Sequence, residues 1–202
     1  MVRNISNSVR KYSRLPMVRN ISNSARKCLT LSYGRVNYLF GGCMGVHTVG
    51  YSYHIKDSYF STVSDSTLME NKENGRYRPH FFCFNDDCIP GLLWAVPQST
   101  KVEKYQAIQK KKIEKHGSCC TIVLGDFGGE PNAFLIQNMF PLVEHYIDHV
   151  HTIKSLPVSL HPRLIREIQD NAKHALKLNN RGINVIFTDI ARLKALMLQE
   201  LT

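Results

Sequence analysis

The sequence predicts an α+β fold: a twisted antiparallel β-sheet with a barrel-like core, flanked by helices and closed by a helical C-terminal third. Three observations point there. Short apolar runs joined by turn-forming residues occupy the span from 51 to 140, apolar residues recur at helical spacing from 161 onward, and residues 1–43 contain few large apolar side chains. A chain of 202 residues that is 43% hydrophobic has enough apolar material for one core, so a single domain over 44–202 is expected.

YSYHI at 51–55 alternates large and small side chains as a short strand does, and Tyr59, Phe60 and Val63 in 56–64 fall at helical spacing. The polar stretch 65–77, with Asn74 and Gly75, reads as an exposed loop. RPHFFCF (78–84) and GLLWAVP (91–97) predict a central hairpin across the turn NDDCIP (85–90). A helix over 102–116 follows, with Tyr105, Ile108, Lys112 and Ile113 on one stripe and Gly117 as its C-cap.

Residues 119–127 and 132–140 read as buried strands around a GGEP turn, and 142–150 as a short helix. Leu164, Ile168, Ala172, Ala175 and Leu176 define one face of a helix over 161–178, which Arg181 and Gly182 close. INVIF (183–187) is apolar enough for a strand or a buried turn, and Thr188 or Asp189 would cap a last helix carrying Ile190, Leu193, Leu196, Met197 and Leu201.

The N-terminal leader holds an internal repeat: MVRNISNSVRKYSRLP (1–16) is followed by MVRNISNSARKCLTLS (17–32), identical at eleven of sixteen positions. So short and polar a unit cannot bury enough surface to offset its ordering entropy, and a disordered leader is expected over 1–43. Two origins fit it. It is a basic arm that grips RNA, or it is a DNA tandem repeat translated when a reading frame is extended upstream, with the true start at Met44 or Met17.

The net charge of +10 is concentrated in this leader, which carries eight of the 26 Lys and Arg and no Asp or Glu. The remaining 18 basic residues face 16 acidic ones, so composition alone does not make the folded part a nucleic-acid binder. Six cysteines without a signal peptide point to free thiols in a reducing cytoplasm. Cys83 and Cys88 lack a second pair at finger spacing and make a weak zinc set, so buried structural thiols are expected. No stretch reaches the roughly 18 apolar residues of a membrane span, and no membrane association is expected.

Chemistry concentrates in VPQSTKVEKY (96–105), where a strand releases Ser99, Thr100 and Lys101 in front of a helix. Free helix N–H groups, two hydroxyls and a cation suit a phosphate. Alternatively Ser99 or Thr100 caps the helix, Glu103 completes a capping box, and Lys101 is merely solvated. Lys104, Lys111, Lys112 and Lys115, together with Lys110, load the same helix with charge that either follows an RNA backbone or faces water. Antiparallel pairing would carry Arg76, Arg78 and His80 toward the 97–101 turn, with His80 as a general acid or base or a core histidine. Tyr53 and Tyr59 either stack on bases or fill the core.

Taken in order, YHIKDSYF (53–60), NGRYRPHFFCF (74–84), WAVPQSTKVEKY (94–105), KKIEKHG (111–117) and AFLIQNMFPLVEHYI (133–147) resemble the toxins of type III toxin-antitoxin systems, the family of ToxN and AbiQ and especially its CptN branch. No single motif carries the resemblance; the order does, over most of Met44 to His151, together with a repeat just upstream.

The resemblance implies a metal-independent endoribonuclease that needs no cofactor and is neutralised by a repetitive RNA antitoxin in a closed assembly of several protomers. It also implies that cellular mRNA and the antitoxin precursor are cut to 2′,3′-cyclic phosphate ends, and that the system serves in phage defence. By position Arg78 matches the family's basic residue, Ser99 and Thr100 its hydroxyls, and Lys101 its cation. The family turn reads Pro-x-Thr-Ser-Pro-Lys; this chain has Ser-Thr in reverse order and no second proline, which leaves both Lys101 and Lys104 open as the essential lysine.

Two other classes compete. A non-catalytic RNA-binding or regulatory protein would use the lysine helix without cutting. A metal-dependent nuclease is disfavoured, because Asp86 and Asp87 fall in a turn and His145, Asp148, His149 and His151 are expected to face solvent.

Overall fold

The computed structural model describes residues 47–73 and 75–201. The expected disorder of 1–43 and the repeat origin therefore lie outside the described residues. Strand β1 (Ser52–Ile55) leads into helix α1 (Asp57–Val63), and the loop beyond it carries a small hairpin, β2 (Lys72–Glu73) and β3 (Arg76–Tyr77). The central hairpin is β4 (His80–Asn85) and β5 (Leu92–Ser99), followed by helix α2 (Val102–His116). Next come β6 (Val123–Phe127), β7 (Glu130–Phe134), β8 (Phe140–Val143), β9 (Ile147–Val150) and the short pair β10 (Thr152–Ile153) and β11 (Leu156–Pro157). Helices α3 (Pro162–Asn180) and α4 (Ile190–Glu200) end the chain.

Seven strands form one antiparallel sheet in the order β6-β7-β5-β4-β1-β9, with β8 pairing the first half of β5. The sheet is antiparallel as expected but open rather than barrel-like, because β6 and β9 end the path without meeting. Strand β5 is its hub. Leu92 to Ala95 pair with β8, Gln98 and Ser99 pair with β7, and β4 runs along the opposite edge.

All eight residues of β5 are buried because both faces of the sheet are covered. On one side Leu92, Leu93 and Ala95 pack with Tyr59 and Val63 of α1 and Leu193 and Met197 of α4. On the other, Trp94 and Val96 pack with Phe81, Phe134 and the Ile168, Ala172 and Ala175 stripe of α3. Each large apolar side chain so buried contributes about 1.5–3 kcal/mol.

Local chemistry explains the joints. Asp86 closes the β4–β5 turn by accepting the backbone N–H groups of Cys88 and Ile89, at 3.0 and 3.1 Å, on one carboxylate oxygen, and the indole N–H of Trp94 on the other. Gly117 ends α2 at φ +77°, the left-handed conformation a side chain resists. Asp189 caps α4 by accepting from the Arg192 amide, and Thr188 instead donates to the Met139 carbonyl.

Five expectations change. Residues 142–150 are not a helix: they finish β8, make one 3₁₀ turn (Glu144–Tyr146) and form β9, because apolar side chains at both ends are taken up by sheet pairing. The strand expected at 119–127 begins only at Val123, and the one expected at 132–140 divides into β7, a 3₁₀ turn (Ile136–Asn138) and β8. INVIF forms no strand; Ile186 is buried while Ile183 and Phe187 are exposed. On α2 only Tyr105 is fully buried, and Ile113 of the expected stripe faces solvent.

All four described cysteines are free, but only Cys83 is buried; Cys88 is exposed, and Cys119 and Cys120 are half-buried. Among the described residues no helix is long and apolar enough to cross a membrane.

Candidate nucleic-acid interface

The junction between β5 and α2 is where the predicted residues converge. Antiparallel pairing sets His80 opposite Pro97, so Arg78, just before β4, lies beside the end of β5. Arg78 is only 7% exposed and all three of its guanidinium nitrogens are engaged. Nη1 donates to the Gln98 carbonyl at 2.5 Å, Nε to the Glu70 carbonyl at 3.2 Å, and Nη2 to Glu73 Oε2 at 3.2 Å.

The other oxygen of Glu73 pairs with Lys101 Nζ, so one carboxylate bridges the two cations. The Lys101 contact foremost, with Arg78 adding to it, holds the Glu73 carboxyl below its usual range and keeps it ionised at neutral pH. Nothing at sequence level singles out Glu73, which is one acidic residue in a polar loop.

Ser99 is buried and its Oγ accepts the Lys101 backbone N–H at 3.3 Å, while Thr100 is exposed. The capping-box reading is not realised. The N-cap of α2 is Lys101, whose own side chain makes no capping hydrogen bond, and Ser99 still belongs to β5.

Behind the junction, Gln98 and Ser52 share a buried amide-to-hydroxyl hydrogen bond that ties β5 to β1. Beside it, Asp57 anchors the β2–β3 hairpin: Oδ2 takes Lys72 Nζ at 3.0 Å and the Tyr77 hydroxyl at 2.9 Å, and Oδ1 takes the Asn71 amide at 2.8 Å. Those three hydrogen bonds, Asn71 first, keep the Asp57 carboxyl below its usual range.

The remaining sites divide. Arg76 is exposed on β3. Lys104, Lys111 and Lys115 are exposed on α2, but Lys112 is half-buried and donates to Thr121 Oγ1 at 2.7 Å and Gln137 Oε1 at 2.8 Å, so it fastens the helix to the sheet. Tyr53 is a core residue, 7% exposed, with its hydroxyl accepting the Thr48 N–H at 2.8 Å; Tyr59 is fully buried.

His80 is 1% exposed against Phe60 and Phe140, and neither ring nitrogen has a hydrogen-bond partner. Burial first, then the Arg78 charge, lowers its pKa to about 3, so the ring is neutral and sealed from the junction.

A histidine cluster missed at sequence level lies where β1 meets β9. His54 Nε2 and His151 Nδ1 are 2.9 Å apart, and the His149 ring stacks on His54 at 4.6 Å. Burial, then its neighbours His149 and His151, lowers the His54 pKa to about 4. His145, Asp148 and His149 are exposed as expected, but Asp148 and His149 lie on a strand rather than a helix and His151 is half-buried. Among the described residues no group of three or more His, Cys, Asp or Glu side chains is arranged to hold a metal ion.

The fold recurs in solved structures. One is AbiQ, a lactococcal anti-phage endoribonuclease of the type III toxin-antitoxin system, similar at TM-score 0.56 and 12% identity over 75% of this chain and 98% of that one. A second is from a bacterial antiviral system regulated by a processed non-coding RNA (0.53, 11%, 72% and 95%). A third is from a bacterial type III system in which an RNA pseudoknot selectively inhibits the toxin (0.53, 14%, 75% and 97%). No family model and no curated protein matches the sequence. At these identities the likeness establishes a common fold, spanning nearly the whole of each related chain.

Proposed function

We propose that this chain is the toxin of a type III toxin-antitoxin system, an endoribonuclease held in check by a repetitive RNA. The observation that carries the reading is the junction itself. Two cations, Arg78 and Lys101, meet at one anion beside Ser99, Thr100 and the start of α2, on a fold shared with an anti-phage endoribonuclease. A site that already holds a carboxylate between two cations suits a phosphodiester.

The reaction uses the RNA's own 2′-OH. Its oxygen attacks the adjacent phosphorus, the bond from phosphorus to the 5′-oxygen breaks, and a 2′,3′-cyclic phosphate and a 5′-OH end result. Arg78 and Lys101 offset the charge that develops on the phosphoryl oxygens, and the Thr100 hydroxyl orients the linkage. The 2′-OH proton passes to solvent water, and the Lys101 ammonium returns one to the leaving 5′-oxygen before recharging from solvent. No metal or cofactor takes part. His80 is left out of this proton path because the core encloses it.

Arg76, Lys104, Lys111 and Lys115 extend the electrostatic track along which the RNA lies. The CptN branch, cutting of mRNA and of the antitoxin precursor, a closed assembly of several protomers, a role in phage defence and a cytoplasmic location all follow from the same resemblance.

The burial of His80 favours one competing reading, an RNA-binding protein that cuts nothing. Incubating the full chain with end-labelled RNA in EDTA separates the two. Cyclic-phosphate and 5′-OH ends that disappear with Lys101→Ala are expected; intact RNA at saturating protein would leave only the binding role.

A further inference from the structure

We infer that the Glu73 carboxylate occupies the seat of the scissile phosphate and that RNA enters by displacing it, an inference that rests on the proposed function of the β5–α2 junction. A carboxylate resembles a phosphodiester in what the seat reads: one negative charge shared by two equivalent oxygens. Glu73 presents one oxygen to Arg78 Nη2 and the other to Lys101 Nζ, so the two cations already converge on a single anion.

The seat outlasts the departure of Glu73. Arg78 keeps its place through Nη1 on the Gln98 carbonyl and Nε on the Glu70 carbonyl, neither of which involves Glu73. The Lys101 backbone is held by Ser99 Oγ and the start of α2. Only the Glu73 side of the bridge is lightly built. Glu73 pairs with Arg76 at the tip of a hairpin of two-residue strands, and an isolated ladder of that size is marginal in water.

The next pair inward, Lys72 and Tyr77, is the one that Asp57 clamps. The hairpin therefore has a fixed base and a tip that carries the blocking carboxylate. At the turn Gly75 has φ +76°, and among the described residues no atom lies where its side chain would be. Displacement exchanges the Glu73 contacts for phosphate contacts and returns the carboxylate to water. Empty protein thus keeps its cations neutralised, and RNA must break both Glu73 pairs as it binds, so the carboxylate opposes RNA binding.

The test measures binding of the full chain to a fluorescent 2′-O-methyl RNA, which lacks the nucleophile and is not cut. Glu73→Gln keeps the shape and removes the charge, and is expected to tighten binding about three- to tenfold at low salt. Lys101→Met is expected to weaken binding in both the native and the Glu73→Gln backgrounds. Unchanged or weaker binding by a folded Glu73→Gln protein, alongside a loss with Lys101→Met, overturns the displacement while the phosphate site stands. No effect of Lys101→Met in either background removes the phosphate site itself.

Hydrogen exchange on the unmodified chain gives an answer that does not depend on a variant folding. RNA should speed exchange of the backbone amides at 73–76, and slower exchange there overturns the displacement.

Discussion

Arg78 Nη1 donates a 2.5 Å hydrogen bond to the Gln98 carbonyl, fastening the entrance of β4 to the end of β5 one residue before Ser99. With its guanidinium buried and two further acceptors on it, this arginine is structural as well as electrostatic. Arg78→Ala is expected to cost about 3 kcal/mol of stability, because it orphans two carbonyls and half of the Glu73 carboxylate. Arg78→Lys keeps the charge without the fork and should recover only part of that. Urea unfolding measures both; a loss under about 1 kcal/mol for the alanine variant contradicts the role.

Lys101 presents the opposite case. Its side chain is more than half exposed, so Lys101→Ala should change stability by under about 1 kcal/mol and yet abolish growth arrest in cells. Ser99→Ala with Thr100→Ala removes the acceptor for the Lys101 amide, should cost about 1 kcal/mol, and is likewise expected to abolish toxicity. A double variant as toxic as the native protein removes this site.

The lysines of α2 separate by what they touch. Replacing Lys104, Lys111 and Lys115 together by Gln should leave the melting temperature unchanged and reduce the slope of log affinity against log salt by about two. Lys112→Met, by contrast, leaves Thr121 and Gln137 without their donor and should cost about 1–3 kcal/mol. A Lys112 variant as stable as the native protein would show that the helix is not fastened there.

Burial of neutral His80 makes stability acid-sensitive. Its pKa falls from 6.5 to about 3 on folding, so between those values the unfolded chain binds a proton that the folded chain refuses. Stability therefore rises with pH across that window, by at most about 1.4 kcal/mol per pH unit from this group, and levels off above 6.5. His54, lowered to about 4, adds a contribution of the same sign. Unfolding His80→Phe at pH 4.5 and pH 7 should show a smaller difference than the native chain. Equal acid sensitivity in the two proteins rules this account out.

Much of the architecture was legible because it is local. Alternation in 51–55, the NDDCIP turn, the α3 stripe and Gly117 each encode their own geometry within a few residues, and each stands where periodicity set it. Residues 142–150 misled because Leu142, Val143, Tyr146, Ile147 and Val150 suit a helix face as well as two strands around a turn, and only the free edges of β5 and β1 decide between them. The junction of Ser99, Thr100 and Lys101 was visible as composition at a strand-to-helix boundary, whereas the roles of its neighbours were not.

By itself the sequence determined the α+β class, the central hairpin, the long amphipathic helix and the segment where hydroxyls and a cation meet, since these depend on residues adjacent along the chain. Tertiary structure alone decided that His80 is sealed in the core, that Lys112 is a fastener, and that Glu73 bridges Arg78 and Lys101. Burial and ion pairing depend on which distant side chains share a volume and exclude water from it, and no local pattern carries that information.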